Sequence, residues 1–350
     1  MFTIEELKQY SRQIRLPEIG LSGQEKLKQA KVLMIGAGGL GCPVLQYLVA
    51  AGVGHIGIVD DDVVDISNLH RQILYSAADF GSPKAVIAKR KLELLNPHVE
   101  ISAHTERLSA ENAERICEGY DLLIDGSDNF ETRYLVNDTC ISLNKVLVFG
   151  SIFKFEGHVS VFNYQHGPNY RDVFPEAPAS SEVPNCAEIG VLGVLPGIIG
   201  TYMANEAIKI ICNIGEVLSG RLMVINAMDN TTAIFQFARQ NSSVQVQKEI
   251  VNVPGKSPDN EISRAELDAF LSEIPEDICL IDVREVYEFE EYNIGGINIP
   301  LYNLKESLDE LPLNKKLVFC CQTGQRSKMA IQLLKPVVKS EMYNLQNGLS

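Results

Sequence analysis

At 350 residues the chain is long enough for two domains, and its 45% hydrophobic and 22% charged residues are those of a folded globular protein, not a disordered or fibrous one. Thirty-one Lys and Arg against 45 Asp and Glu leave a net charge of −14 with no basic cluster, which argues against nucleic acid or an anionic membrane as the main partner. The start, MFTIEELKQYSRQIRL, reads as a charged helix without the apolar core of a signal peptide, and no apolar run approaches a membrane span, so a cytoplasmic protein is expected. The 8 cysteines form no regular framework and no C-x-x-C pair, as suits individual thiols in a reducing compartment.

From residue 31 short apolar runs alternate with longer amphipathic ones. KVLMIG reads as a strand, followed by a helix from about Leu40, the strand HIGIVD, a helix near 83–95, the strand VEISAH, a helix near 109–118 and the strand DLLIDG. Such alternation predicts a mostly parallel sheet. A helix near 130–143 leads to the strands VLVFGS and HVSVFNY. Residues 164–188 hold prolines 168, 175, 178 and 184 and read as a long functional loop. The stretch GVLGVLPGIIGTYMANEAIKII predicts a buried helix, since Pro196, Glu206 and Lys209 speak against a membrane segment. Residues 239–261 lose both periodicities and read as a linker between a first domain, 1–238, and a second, 262–350. The second shows a helix near 262–272, the strand ICLIDV, a short helix near 285–291, the strand LVFC and a helix from about Gln325.

Gly36, Gly38 and Gly41 satisfy G-x-G-x-x-G directly after a strand and at the start of a helix, where backbone amides and the helix N-terminus can cradle a phosphate. Asp60 ends the next strand, nineteen residues after Gly41, placed to accept hydrogen bonds from ribose hydroxyls. These features alone fit a nicotinamide or flavin oxidoreductase equally well. The surrounding residues favour a triphosphate and its metal: Arg12, Asp62, Asn68, Arg71, Lys84, then Asp125, Asp128 and Asn129 in DGSDN supply cations and carboxylates that hydride transfer does not need.

The order of the run RQIRLP, GAGGLG, D-x-D-x-V-x-x-S-N-L-x-R-Q and D-x-x-D-N resembles the ubiquitin-activating-like adenylyltransferases of sulfur-carrier proteins, the MoeB and ThiF family, over roughly residues 5 to 238. That resemblance implies a Rossmann-like, mostly parallel sheet with an antiparallel extension, and the use of ATP and Mg²⁺. By it the loop of Gly36, Gly38, Gly39 and Gly41 would hold the nucleotide with Asp62 beside it. Asp60 would hold the ribose, Asn68, Arg71 and Lys84 the phosphates, and Asp128 the metal, while Arg12 would reach a neighbouring protomer's site in a homodimer. The implied reaction joins AMP to the C-terminal glycine of a small ubiquitin-like carrier ending in Gly-Gly. Cys186, in VPNCAEIG within the loop that would cross the carrier's tail, matches a family cysteine that can bond covalently to the carrier; a small buried residue is the plainer alternative. The sequence departs from the family where many members place two zinc-binding C-x-x-C pairs: Asn169-Tyr170-Arg171-Asp172 and RQNSSVQV carry no thiols, so no structural zinc is expected and the loop must be held by packing or by a dimer.

LVFCCQTGQRS ends a strand in cysteine and turns into a helix, which aims backbone amides at Cys321 while Arg326 adds positive charge; both favour a thiolate. Cys321 to Ser327 resembles the active-site loop of rhodanese sulfurtransferases, and IDVREVYEFEEYNIGGINIP, with Asp282 and Arg284, their earlier signature. By that likeness Cys321 would carry a persulfide loaded by a cysteine desulfurase or another donor. Cys320 should point into the core. Asn293 stands where His is usual, and the early end at NLQNGLS implies either an exposed apolar edge or simply a short member of the family. A molybdopterin-type carrier is favoured, with a thiamin-type carrier as the alternative.

Overall fold

A computed structural model describes residues 1–175, 190–239 and 261–349, apart from 274–276, 305, 306, 323 and 336. Cys186 and nearly all of the expected linker lie outside the described residues. The described residues divide into two compact units, one before and one after residues 240–260.

In the first unit, β1 (Lys31–Ile35), β2 (His55–Val59), β3 (Glu100–His104), β4 (Leu122–Asp125), β5 (Val146–Phe153), β6 (Glu156–Phe162), β7 (Arg221–Asn226) and β8 (Thr231–Gln236) form one sheet in the order β3-β2-β1-β4-β5-β6-β7-β8. The first five pair in parallel and the last three join antiparallel. The central strands are apolar at consecutive positions because both faces are covered. Val32 and Met34 pack on one side with Leu48, Ile87, Ile199 and Met203, whereas Leu33 and Ile35 pack on the other with Ile116, Tyr134 and Cys140. The helices Gly41–Ala51, Lys84–Leu95 and Leu195–Cys212 thus cover the first face, and Ala113–Cys117 and Phe130–Ser142 the second.

The helix expected near 109–118 is confined to Ala113–Cys117. Asn112 accepts from the Ser109 amide at 2.8 Å and donates to Glu106, a local turn that competes with helix. The helix Leu195–Cys212 begins with Pro196 in its first turn, where no amide is needed, and buries Glu206 against the Leu218 amide at 2.9 Å. No helix among the described residues is long and apolar enough to cross a membrane.

Packing and hydrogen bonds hold the segment Asn169–Asp172. Asn169 and Asp172 close a capping box, Arg171 pairs with Asp138 at 2.7 Å, and the buried ring of Tyr170 lies 4.9 to 5.7 Å from those of Tyr134, Phe149, Phe162 and Phe174.

In the second unit, β9 (Glu261–Ile262), β10 (Ile278–Asp282), β11 (Ile297–Asn298), β12 (Lys316–Cys320) and β13 (Met342–Leu345) form a parallel sheet in the order β11-β10-β12-β13-β9. The expected exposed edge is absent at β13, because β9 pairs with Asn344 and Leu345 and covers it. Arg264–Glu273, Val286–Glu291 and Gln325–Leu334 are helical, as the periodicity predicts.

Candidate functional site

Strand order reverses between β1 and β4: the chain runs outward from β1 through β2 and β3, then returns to β4 on the other side. At such a reversal the loops leaving the two strands part, and ligands bind beyond the strand ends. Gly36, at φ +85°, follows β1, and a side chain there would meet the Gly126 carbonyl oxygen of the loop after β4 at 3.1 Å. A Cβ on Gly41 would lie 2.1 Å from the Gly36 carbonyl oxygen, so the turn closes only with glycine, and the helix Gly41–Ala51 starts there. Gly41→Ala is accordingly expected to abolish nucleotide binding and to cost about 1–3 kcal/mol of stability. Calorimetric titration beside thermal unfolding checks both, and wild-type affinity in the variant would refute it.

Asp60 clamps this turn, its two oxygens accepting from the Ala37 amide at 2.7 Å and the Asp62 amide at 2.9 Å. Burial pushes its carboxyl above the ordinary value, against the pull of Lys84 and those two amides. Tyr75, which sequence reasoning did not single out, donates its hydroxyl to the Ala37 carbonyl at 2.9 Å. Lys84 opens its helix almost fully buried, and its ammonium lies 2.9 Å from the Asp62 carboxylate, which is 70% exposed. Arg71 donates to the side chain of Asn68, and its Cδ lies 3.6 Å from the place a Cβ on Gly39 would take. Gly38 has Gln72 beside it at 3.4 Å by the same measure.

Beyond β4 the two aspartates differ. Asp125 is buried and accepts from the Ser127 amide at 2.9 Å; burial raises its pKa despite Arg133. Asp128 is exposed and bonds to no described residue, and Asn129 caps the helix Phe130–Ser142 through the Thr132 amide at 2.9 Å. The structure therefore joins the glycine turn, Asp60, Asp62 and Lys84 through hydrogen bonds and an ion pair, sets the Asn68–Arg71 pair beside Gly39, and lays the Asp128 loop against Gly36. Arg12 stands exposed on the short helix Ser11–Ile14, without a bond to these residues.

In the second unit Cys321 follows β12 and is buried, its Sγ accepting from the Gly324 amide at 3.2 Å and lying 3.4 Å from Ser327 Oγ. Gly324, at φ +86°, opens the helix Gln325–Leu334. Arg326 departs from expectation: both terminal nitrogens are held by the Glu288 carboxylate, at 2.6 and 2.8 Å, so its charge is matched and not bare beside the thiol. Glu288 is 38 residues away in the chain and was not legible as its partner. Asp282 and Arg284 form a buried pair at 2.7 Å, and Arg284 also reaches the Gln322 side chain at 3.5 Å. Cys320 packs on the opposite face of the sheet with Ile262, Leu280 and Val318; burial above all, with Asp282 adding to it, pushes its thiol well up. Behind the loop, the Leu349 amide donates to the Cys321 and Gln322 carbonyls at 3.0 and 3.1 Å, a brace that the sequence reading missed.

The ThiF family model matches residues 10–246, and the rhodanese-like domain model residues 263–350. A sulfur carrier protein adenylyltransferase of Thermus thermophilus is 52% identical over 233 residues, covering 65% of this chain and 86% of that protein. A probable molybdopterin-synthase adenylyltransferase of Porphyra purpurea is 42% identical over 100% of this chain and 93% of its own, and a probable adenylyltransferase/sulfurtransferase MoeZ of Mycobacterium tuberculosis is 41% identical over 99% and 92%. Among solved structures, E. coli MccB with ATP shares the fold, with a TM-score of 0.59 at 22% identity over 66% of this chain and 72% of that one.

Proposed function

The chain belongs to the ThiF family and carries a rhodanese-like domain, and from that premise we propose that it is an adenylyltransferase and sulfurtransferase acting on a ubiquitin-like sulfur carrier. The first domain, 1–238, activates the carrier's C-terminal glycine with ATP. The second, 262–350, joined by residues 239–261, supplies the sulfur. The full-length relatives named for molybdopterin synthase and for combined adenylyl and sulfur transfer support the molybdopterin type of carrier.

The carrier's terminal carboxylate attacks the α-phosphorus of ATP, a P–O bond to the acyl oxygen forms, and pyrophosphate leaves with the electrons of the broken P–O bond. Asp60 orients the ribose through the lone pairs that its two amide bonds leave unused. The amides of the glycine turn, with Asn68 and Arg71 beside Gly39, receive the phosphates. Lys84 joins them by exchanging the solvent-facing Asp62 carboxylate for a phosphate oxygen, since its buried ammonium must keep an anionic neighbour. Asp128 would hold Mg²⁺: an exposed carboxylate uncommitted to described residues suits a cation that prefers one or two carboxylates with phosphates and water. Bound there, Mg²⁺ would neutralise charge on the phosphate oxygens. Arg12, exposed and apart from these residues, serves a second copy's site in a homodimer.

Once the adenylate has formed, the terminal sulfur of a persulfide on Cys321 attacks the acyl carbon and AMP leaves, giving an acyl disulfide. A second thiolate then attacks the Cys321 sulfur, and the carrier's thiocarboxylate leaves with the electrons of the broken S–S bond as a disulfide forms between the two thiols. Cys186, by its match to the family's cysteine, would serve as a covalent way station for the carrier. A cytoplasmic setting, with a cysteine desulfurase or another sulfur donor, is supported by the free thiols at Cys42, Cys117, Cys140, Cys212, Cys279, Cys320 and Cys321.

What supports the adenylation most is the convergence of the glycine turn, the Asn68–Arg71 pair and the exposed Asp128 at one strand-order reversal. ATP–pyrophosphate exchange by the purified protein, with each Gly-Gly-ending ubiquitin-like protein of the same genome, tests it. Exchange that depends on one carrier is expected. A folded, ATP-binding protein that exchanges with no carrier would move the substrate to a small molecule or RNA.

A further inference from the structure

The rhodanese-like loop takes sulfur onto a thiolate, and which donor it accepts depends on the charge that faces it. Among the described residues, three cations stand on or beside the loop, and each is matched by a carboxylate. Arg284 is held by Asp282 at 2.7 Å, Arg326 by Glu288 at 2.6 and 2.8 Å, and Lys328 by Glu261 at 2.7 Å. Within Cys321 to Ser327 the only charged side chain is Arg326, so the Glu288 bond leaves the loop with no net charge. The helix bearing Glu288, Val286–Glu291, adds the exposed carboxylates of Glu290 and Glu291. A small dianionic donor therefore meets a loop whose one cation is already matched, with no unpaired positive charge there to raise its local concentration.

Glu288 is not held by accident of the surface. Its side chain is 20% exposed and that of Arg326 14%, and Glu288 also accepts from the Glu285 amide at 3.0 Å, closing a capping box. Burial works against its ionisation, but Arg326 and that amide outweigh it and hold the carboxyl below its ordinary value. The two-point geometry fixes the guanidinium plane as well as its charge.

We propose that Glu288 sets how well Cys321 accepts small oxyanion donors: by holding Arg326 it withholds the loop's cation from donors such as thiosulfate. This rests on the sulfurtransferase reading of the second domain. With thiosulfate, the Cys321 thiolate would attack the outer sulfur, forming a new S–S bond as the old one breaks and sulfite leaves with its electron pair; cyanide then removes that sulfur as thiocyanate and restores the thiolate. Sulfite's charge makes this step the one most sensitive to a free cation.

The test uses the full chain, wild type and Glu288→Gln, in two assays: thiosulfate-to-cyanide transfer, and alkylation of Cys321 by iodoacetate against neutral iodoacetamide, read by peptide mass spectrometry. The Gln side chain keeps the shape and releases the charge. In Glu288→Gln the kcat/KM for thiosulfate should rise about tenfold, chiefly through KM, and the ratio of iodoacetate to iodoacetamide rates should rise by a similar factor. Adding Arg326→Gln should return the ratio to the wild-type value. A loop merely loosened by the change would alter both alkylation rates together and leave their ratio alone. An unchanged ratio in Glu288→Gln, or a raised ratio that survives the second substitution, would overturn the proposal. If no donor ever loads Cys321, the sulfurtransferase reading fails, yet the alkylation ratio still reports the charge, so the two failures are separable.

Discussion

Asp128→Ala should lower carrier-dependent ATP–pyrophosphate exchange at least about a hundredfold, the usual loss when one group stabilising charge in the transition state is removed, while thermal unfolding stays at the wild-type temperature. The expectation follows from where the residue stands. Asp128 is exposed, bonds to no described residue and lies three positions beyond the end of β4, in the loop whose Gly126 touches the glycine turn. No described residue bonds its carboxylate, so its removal reads chemistry alone. Asp125 could not serve the same purpose: it is buried and bonded to the Ser127 amide, and its loss would disturb the loop together with any catalysis. Exchange surviving in Asp128→Ala would take the metal away from this carboxylate. A fall in unfolding temperature would show that it holds structure instead.

The same contrast explains what the sequence made legible. β1, β2 and β4 announce themselves as unbroken apolar runs because helices cover both faces, and the glycine turn follows β1 because its backbone approaches too closely for any side chain. The cations and carboxylates of the first site lie within short stretches of chain, so their spacing could be read directly. β8 escaped notice because an edge strand exposed at every position, TTAIFQ, needs no alternation of apolar and polar residues, and β7 because its alternation, with only Met223 and Ile225 buried, is short. β9 and β11, two residues each, carry too little pattern to register. The Glu288–Arg326 pair shows the harder limit, since two residues 38 positions apart meet through the packing of β10 and β12 and leave no local sign. Reading Arg326 alone gave it a charge that the fold then matches.

Cys321→Ala should leave carrier-dependent exchange within about twofold of wild type and reduce formation of the carrier's thiocarboxylate by about a thousandfold or more, as removal of a nucleophile commonly does. The first half follows from the division of the described chain into two units with separate cores: the thiol contacts Gly324 and Ser327 of its own unit, and the glycine turn is built wholly within the other. The second half requires that no neighbouring thiol take over. Cys320 is the nearest in sequence, yet it ends β12 facing the opposite side of the sheet, packed among Ile262, Leu280 and Val318, with its thiol held well above the ordinary range by burial. A protonated thiol in an apolar cluster is a poor nucleophile, so it cannot inherit the persulfide. Exchange kinetics alongside mass spectrometry of the carrier's C-terminus would check both halves in one preparation. Loss of exchange in Cys321→Ala would contradict the division of labour between the two domains. Thiocarboxylate that persists in Cys321→Ala and disappears in the double variant with Cys320→Ser would instead assign sulfur delivery to the buried thiol, and would require β12 to turn over its end residues during the cycle.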